Sequence, residues 1–281
     1  MSYPFKKIAI AYSFATQSEF LFSEAARVVR VFQSDLYIIH AGEKTPEKTA
    51  LLTQLAEKSG IVFRPENFLC ESSAPERVLR KSVKENEIDL LIMGALSKER
   101  MRTYYSGSVA RHIMRDLPCS ALVIPTNTEL QSLDFKKIIT VVDYTSLGET
   151  LLKCAYHTAK KFSASEIILV RELMTPGLAM TVHDGGTGGE TEATRLEWQQ
   201  EEEIKLDLLL REVKIQDVKI EKLCLFGKAG WETAHYAREK KAGLVVMLAP
   251  KKKFKLLDRV FQHDQEYFYD KLPCPLLLMK F

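Results

Sequence analysis

The residues with the strongest claim to chemistry are Gly94, Ser97, Gly107 and Ser108. They form a Gly-x2-Ser-x9-Gly-Ser pattern between an apolar run that ends at Gly94 and a helical pattern over 109–115. Glycine at a strand end lets backbone approach a ligand, and Gly-Ser at a helix start turns free amides, a hydroxyl and the positive end of the helix dipole toward an anion. Lys98, Arg100 and Arg102 add positive charge between the two ends. The chemistry is phosphate binding. The same residues also suit a plain helix cap beside a solvated basic loop.

A strand, a loop and a helix must position such a cradle, and the periodicity supplies them. Apolar runs at 7–13, 36–41, 68–71, 90–94 and 121–125 read as strands, with helical patterns in every gap. The stretch 18–32 places Phe22, Ala25, Ala26 and Val29 at helical spacing, and 75–87 opens on proline and acid as a helix start does. Strands alternating with helices argue for a parallel sheet covered on both faces.

The order then repeats. Phe5-Lys6-Lys7-Ile8 returns as Phe135-Lys136-Lys137-Ile138, and Leu117-Pro118-Cys119 returns as Leu272-Pro273-Cys274. Strands are expected at 138–143, 167–171, 218–225, 244–248 and 276–279. Two tandem Rossmann-like domains follow, 1–127 and 134–281, each a five-stranded parallel sheet with helices on both faces. The polar stretch 126–134 reads as an exposed linker. Residues 175–190 look like an insertion, with Gly177, Gly185, Gly186, Gly188 and Gly189 before a helix expected over 191–213. Its glycines miss the GxGxxG spacing, so it is a mobile loop, either a lid or a tolerated insertion.

The totals exclude several classes. With 40 basic and 37 acidic residues the net charge is +3, which predicts no nucleic-acid binding. No run of about 20 apolar residues is present and the amino terminus leads straight into the first strand, so a cytoplasmic location is expected. Five cysteines lack metal-ligand or CxxC spacing and read as reduced, buried side chains. The six histidines, His183 in the glycine-rich segment among them, show no ligand spacing, so no metal site is expected. No GxSxG, Walker-type loop or positioned base appears, so no enzyme is expected.

The loop pattern, the order of elements and the closing runs Leu117-Pro118-Cys119-Ser120-Ala121-Leu122-Val123 and Leu272-Pro273-Cys274-Pro275-Leu276-Leu277-Leu278 resemble the universal stress protein family in its tandem form. The resemblance implies ligand binding at the carboxyl ends of the strands, with ATP and magnesium held by the glycine loop in the nucleotide-binding branch. It also implies an intramolecular pseudo-dimer in which the two final strands, 121–125 and 276–279, meet, and leaves a homodimer open. Ser97 stands where the family has its second glycine. The family's first-strand aspartate falls on Ser13 in half one and on Asp143 in half two, where Asp143 serves either as a remnant of the site or as a helix cap. His40 ends the second strand near the crevice, where it either borders the nucleoside side or is satisfied by backbone.

Half two has Lys251, Lys252 and Lys253, with Lys255 and Arg259, where the glycine loop belongs, a run that suits either an acidic partner or solvent. Half one is therefore the expected adenine-nucleotide site in a non-catalytic stress-response protein. The alternative is a nucleotide-independent scaffold that engages an unidentified protein partner. A third reading, weak ATP hydrolysis, would proceed without a dedicated base.

Overall fold

The computed structural model describes residues 5–15, 18–96, 109–126, 132–173, 188–250 and 272–281. The chain divides into two compact units. Unit 1 is Met1–Asp134 together with Met247–Lys253 and Cys274–Phe281, and unit 2 is Phe135–Val246 with Phe254–Pro273.

Unit 1 runs β1 (Lys7–Ala11), α1 (Ser18–Phe32), β2 (Asp35–Ala41), α2 (Pro46–Lys58), β3 (Phe68–Glu71), α3 (Pro75–Glu85), β4 (Leu90–Leu96), α4 (Val109–Arg115) and β5 (Ser120–Thr126). Ile8, Ala9 and Ile10 are all buried, as they must be in a strand covered on both faces. The parallel order is β3-β2-β1-β4-β5. Right-handed crossovers from β1 to β2 and from β3 back to β4 step in opposite directions, which puts α1 and α2 on one face and α3 and α4 on the other. Thr45 caps α2 by accepting from the Lys48 amide at 3.3 Å, and Pro46 opens the helix.

One strand of unit 1 comes from the far end of the chain. β10 (Leu276–Met279) lies antiparallel to β5, with Leu276 opposite Val123 and Leu278 opposite Ala121. This is the meeting of final strands that the family resemblance implies. All four β10 residues are buried, and the Lys280 amide donates to Ser120 Oγ at 3.1 Å.

Unit 2 runs β6 (Lys137–Val141), α5 (Ser146–Phe162), β7 (Glu166–Leu173), α6 (Gly188–Val213), β8 (Lys219–Phe226), α7 (Trp231–Glu239) and β9 (Leu244–Leu248). Its strands are parallel in the order β9-β6-β7-β8. Leu206 and Leu209 of α6 are buried, and Lys222 on β8 pairs with Asp207 at 3.0 Å.

Four expectations are corrected. β1 ends at Ala11 because the chain turns at Phe14, whose φ of 59° leaves the extended region, and β6 ends at Val141. Gly188 and Gly189 belong to the first turn of α6, so the helix starts earlier than 191. Part of the linker is docked: Leu133 is buried, its amide donates to Glu24 Oε1 at 3.3 Å, and its carbonyl accepts from Arg27 Nη2 at 2.9 Å. The five thiols are free, but only Cys154 and Cys274 are buried, with Cys70, Cys119 and Cys224 partly exposed.

Candidate ligand crevice at the carboxyl ends of the strands

In an open parallel sheet the crevice forms where the strand order reverses, beyond the carboxyl ends of the two strands that flank the reversal. In unit 1 these are β1 and β4, last paired as Ile10 with Ile92. Two residues further on lie Tyr12 and Gly94, so the sheet brings Ser13 and Gly94 to the same rim. Gly94 sits within β4, opposite Ile124. Ser97, Gly107 and Ser108, with Lys98, Arg100 and Arg102, lie outside the described residues.

Ser13 is exposed and shares a hydrogen bond with Ser18, Oγ to Oγ 3.1 Å, while Ser18 Oγ also accepts from the Ala15 amide at 3.0 Å. These bonds shape the entry to α1. His40 is 9% exposed and is held at both ring nitrogens. Nδ1 lies 2.9 Å from the Tyr12 carbonyl and Nε2 lies 3.1 Å from Lys48 Nζ. An ammonium only donates, so Nε2 accepts, Nδ1 carries the proton toward Tyr12, and the ring is neutral. Burial lowers its pKa, the Tyr12 carbonyl opposes that, and Lys48 lowers it further. Gly42 is required here, because a Cβ at that position would stand 2.6 Å from His40 Nε2.

Around His40 is an aromatic floor. Phe14 meets His40 edge-on at 4.8 Å and Tyr12 at 4.7 Å, and Phe68 lies 6.2 Å from Phe14. Two ammonium groups stand over it: Lys48 Nζ is 5.4 Å from the Phe14 ring and Lys44 Nζ is 5.4 Å from the Phe68 ring.

Unit 2 builds the same place with other chemistry. The registers align Tyr12 with Val142, Ser13 with Asp143, Phe14 with Tyr144, His40 with Arg171 and Ala41 with Glu172. Arg171 Nη1 donates to the Val142 carbonyl at 2.9 Å, as His40 does to Tyr12, and its guanidinium stands 4.7 Å over the Tyr144 ring. The helix after the second strand supplies Glu202 in place of Lys48. Glu202 Oε2 accepts from Arg171 Nε at 2.9 Å and from the Tyr144 hydroxyl at 2.7 Å, and Oε1 pairs with Lys205 at 2.8 Å. Burial alone would raise the Glu202 carboxyl, but bonds from Lys205, Tyr144 and Arg171 hold it at about 2. Burial and then Glu202 push the Tyr144 hydroxyl well above its usual range.

Asp143 braces Thr145, the residue that caps α5. Its Oδ1 accepts from the Thr145 amide at 3.0 Å and from the Thr145 hydroxyl, while Thr145 Oγ1 accepts from the Gly148 amide at 3.1 Å. The loop closes so tightly that a Cβ on Gly148 would lie 2.2 Å from Asp143 Oδ1. Glu172 Oε1 accepts from the Gly230 amide at 2.7 Å and from the Thr233 hydroxyl at the start of α7. The lysine run 251–253, with Lys255 and Arg259, lies outside the described residues, as does most of the segment 175–190, His183 included. Among the described residues no group of three acidic, histidine or cysteine side chains is arranged to hold a metal ion, and no helix is long and apolar enough to cross a membrane.

The sequence model of the universal stress protein family matches residues 4–125, which contain β1 through β4, nearly all of β5 and the rim of unit 1. Residues 4–125 belong to the universal stress protein family. The fold extends the likeness to the whole chain. A universal stress protein from Archaeoglobus fulgidus DSM 4304 superposes with a TM-score of 0.67 at 15% identity, covering 99% of each chain. A Pseudomonas aeruginosa PAO1 protein of unknown function gives 0.66 at 16% identity, covering 98% of this chain and 92% of its own. At such identities the likeness concerns the fold. No curated protein sequence matches the chain.

Sequence reasoning singled out Ser13, His40, Gly94 and Asp143 on this universal stress fold but passed over Phe14, Lys44, Lys48, Tyr144, Arg171, Glu172 and Glu202. Aligning the repeats past their second strands would have set His40 beside Arg171. The helix partners Lys48 and Glu202 carry no such signal, because helix length differs between the repeats.

Proposed function

We propose that the chain acts as a non-catalytic cytoplasmic stress-response protein that works by binding, and that unit 1 takes an adenine nucleotide with its magnesium while unit 2 does not. The observation that carries this reading is the charge of the two rims. In unit 1 the rim has Lys44, Lys48 and a neutral His40, and the positions equivalent to Asp143 and Glu172 are Ser13 and Ala41. In unit 2 the same places hold three carboxylates, of which Glu202 is balanced by Arg171 and Lys205 while Asp143 and Glu172 remain. A polyphosphate is attracted by the first and gains no comparable attraction from the second. Gly94, Ser97, Gly107 and Ser108 would hold the phosphates through backbone amides, and the aromatic floor at Phe14 and His40 would meet the base. Magnesium would arrive with the nucleotide.

A nucleotide-independent scaffold is the second reading, and one observation favours it: both ring nitrogens of His40 already have partners inside the protein. Calorimetric titration of magnesium-ATP separates the two. Heat in wild type that vanishes in Gly107→Val supports the nucleotide reading. No heat in either protein transfers the function to the scaffold.

A further inference from the structure

Unit 2 contains a base whose natural partner is an anion, and the anion it has is part of the chain. Arg171 is 19% exposed at its side chain and Glu202 is 9% exposed. Around the Glu202 carboxylate stand a guanidinium, an ammonium and a phenol hydroxyl, with Arg171 itself fixed to the Val142 carbonyl. That set of donors is what a site for a small oxyanion requires, and its geometry is set by β6, β7 and the Tyr144 turn as well as by the helix that brings Glu202. In unit 1 the equivalent helix brings Lys48 instead. The corner is thus left cationic in one unit and neutralised in the other.

We propose that Glu202 is an internal ligand: α6 places its carboxylate in an oxyanion site made by Arg171, Tyr144 and Lys205, and so keeps unit 2 closed to external carboxylates and phosphates. The contact is autoinhibitory. It rests on unit 2 alone and stands whether or not unit 1 takes a nucleotide. Leu206 and Leu209, buried on the same helix, anchor α6 independently of the carboxylate, so Glu202→Gln discharges the site and Glu202→Ala vacates it without removing the helix. Arg171 is then left partly buried without its counter-ion, a state that an external anion relieves.

The test uses the full chain and inorganic phosphate and acetate as probes, at ionic strength matched with chloride. Glu202→Gln, which keeps the shape and loses the charge, and Glu202→Ala, which adds space, should each gain phosphate-dependent thermal stabilisation. Their apparent Kd should be at least about tenfold below wild type, equivalent to about 1.4 kcal/mol. Leu206→Ala, which loosens the same helix without vacating the site, should not gain it. Adding Arg171→Met to Glu202→Gln should abolish the gain and raise the unfolding temperature relative to Glu202→Gln. The proposal is overturned if the Glu202 variants bind no more tightly than wild type, if Leu206→Ala gains equally, or if the gain survives Arg171→Met. Should Glu202→Ala fail to fold, Glu202→Gln carries the test. Phosphate binding already present in wild type and lost in Gly107→Val belongs to unit 1 and does not enter the comparison.

Discussion

A few atoms set the charge at each rim. His40 is neutral because an ammonium sits on one nitrogen and a carbonyl on the other, and the ring fits because residue 42 is glycine. Its pKa is lowered in the folded state, as is that of His157, where burial comes first and Lys161 adds. The unfolded chain therefore binds these protons more readily. The stability they confer is complete above the unfolded pKa of about 6.5 and is lost as pH falls below it. Urea unfolding followed between pH 7.5 and about 5 should show stability dropping with acid, and His40→Gln and His157→Gln should each flatten that slope. Gly148→Ala tests the rim of unit 2. With Asp143 Oδ1 at 2.2 Å and its carbonyl oxygen at 2.3 Å from the new methyl, the capping loop must open, costing about 3 kcal/mol in denaturant melts.

At the scale of elements, the link after β5 is tied to α1 through Glu24 and Arg27. Glu24 pairs with Arg27 at 2.8 Å and accepts from the Leu133 amide, and Arg27 reaches the Leu133 carbonyl. Glu24→Ala removes the bond to the Leu133 amide and the ion pair with Arg27, at about 1–3 kcal/mol. Limited proteolysis should then cut within 126–134 faster than in wild type, at a temperature where both proteins remain folded. Such docking was not legible in a polar stretch whose composition suits an exposed boundary. The ends of β1 and β6 were misjudged for a related reason: periodicity continues through Tyr12 and Val142, which are buried, while the turn that stops the strand is made just after them.

For the whole molecule, the consequential feature is that the last strand of the chain is built into unit 1. β10 contributes four side chains that are at most 3% exposed, each worth about 1.5–3 kcal/mol when buried. Their sum rivals the net stability of an ordinary domain, about 5–15 kcal/mol. Removing Cys274–Phe281 should therefore destabilise the N-terminal unit, and size-exclusion chromatography should show self-association through the uncovered edge of β5. A segment of residues 1–127 alone should behave in the same way. Retention of a stable monomer by either would mean that β5 tolerates exposure.

The sequence by itself determined the tandem α/β order, most strands to within two residues, and the likeness to the universal stress proteins, because strand and helix periods and the repeated Phe-Lys-Lys-Ile and Leu-Pro-Cys runs are local properties. Gly94 was singled out by the loop pattern, His40 by its place at a strand end, and Ser13 and Asp143 by the family's first-strand aspartate. Only the tertiary structure decided what each of them meets: Lys48 on His40, Thr145 on Asp143, Glu202 on Arg171, and β10 on β5. The physical reason is that a partner's charge acts through space, and helices of different length bring residues of opposite sign to equivalent corners without leaving a pattern in the chain.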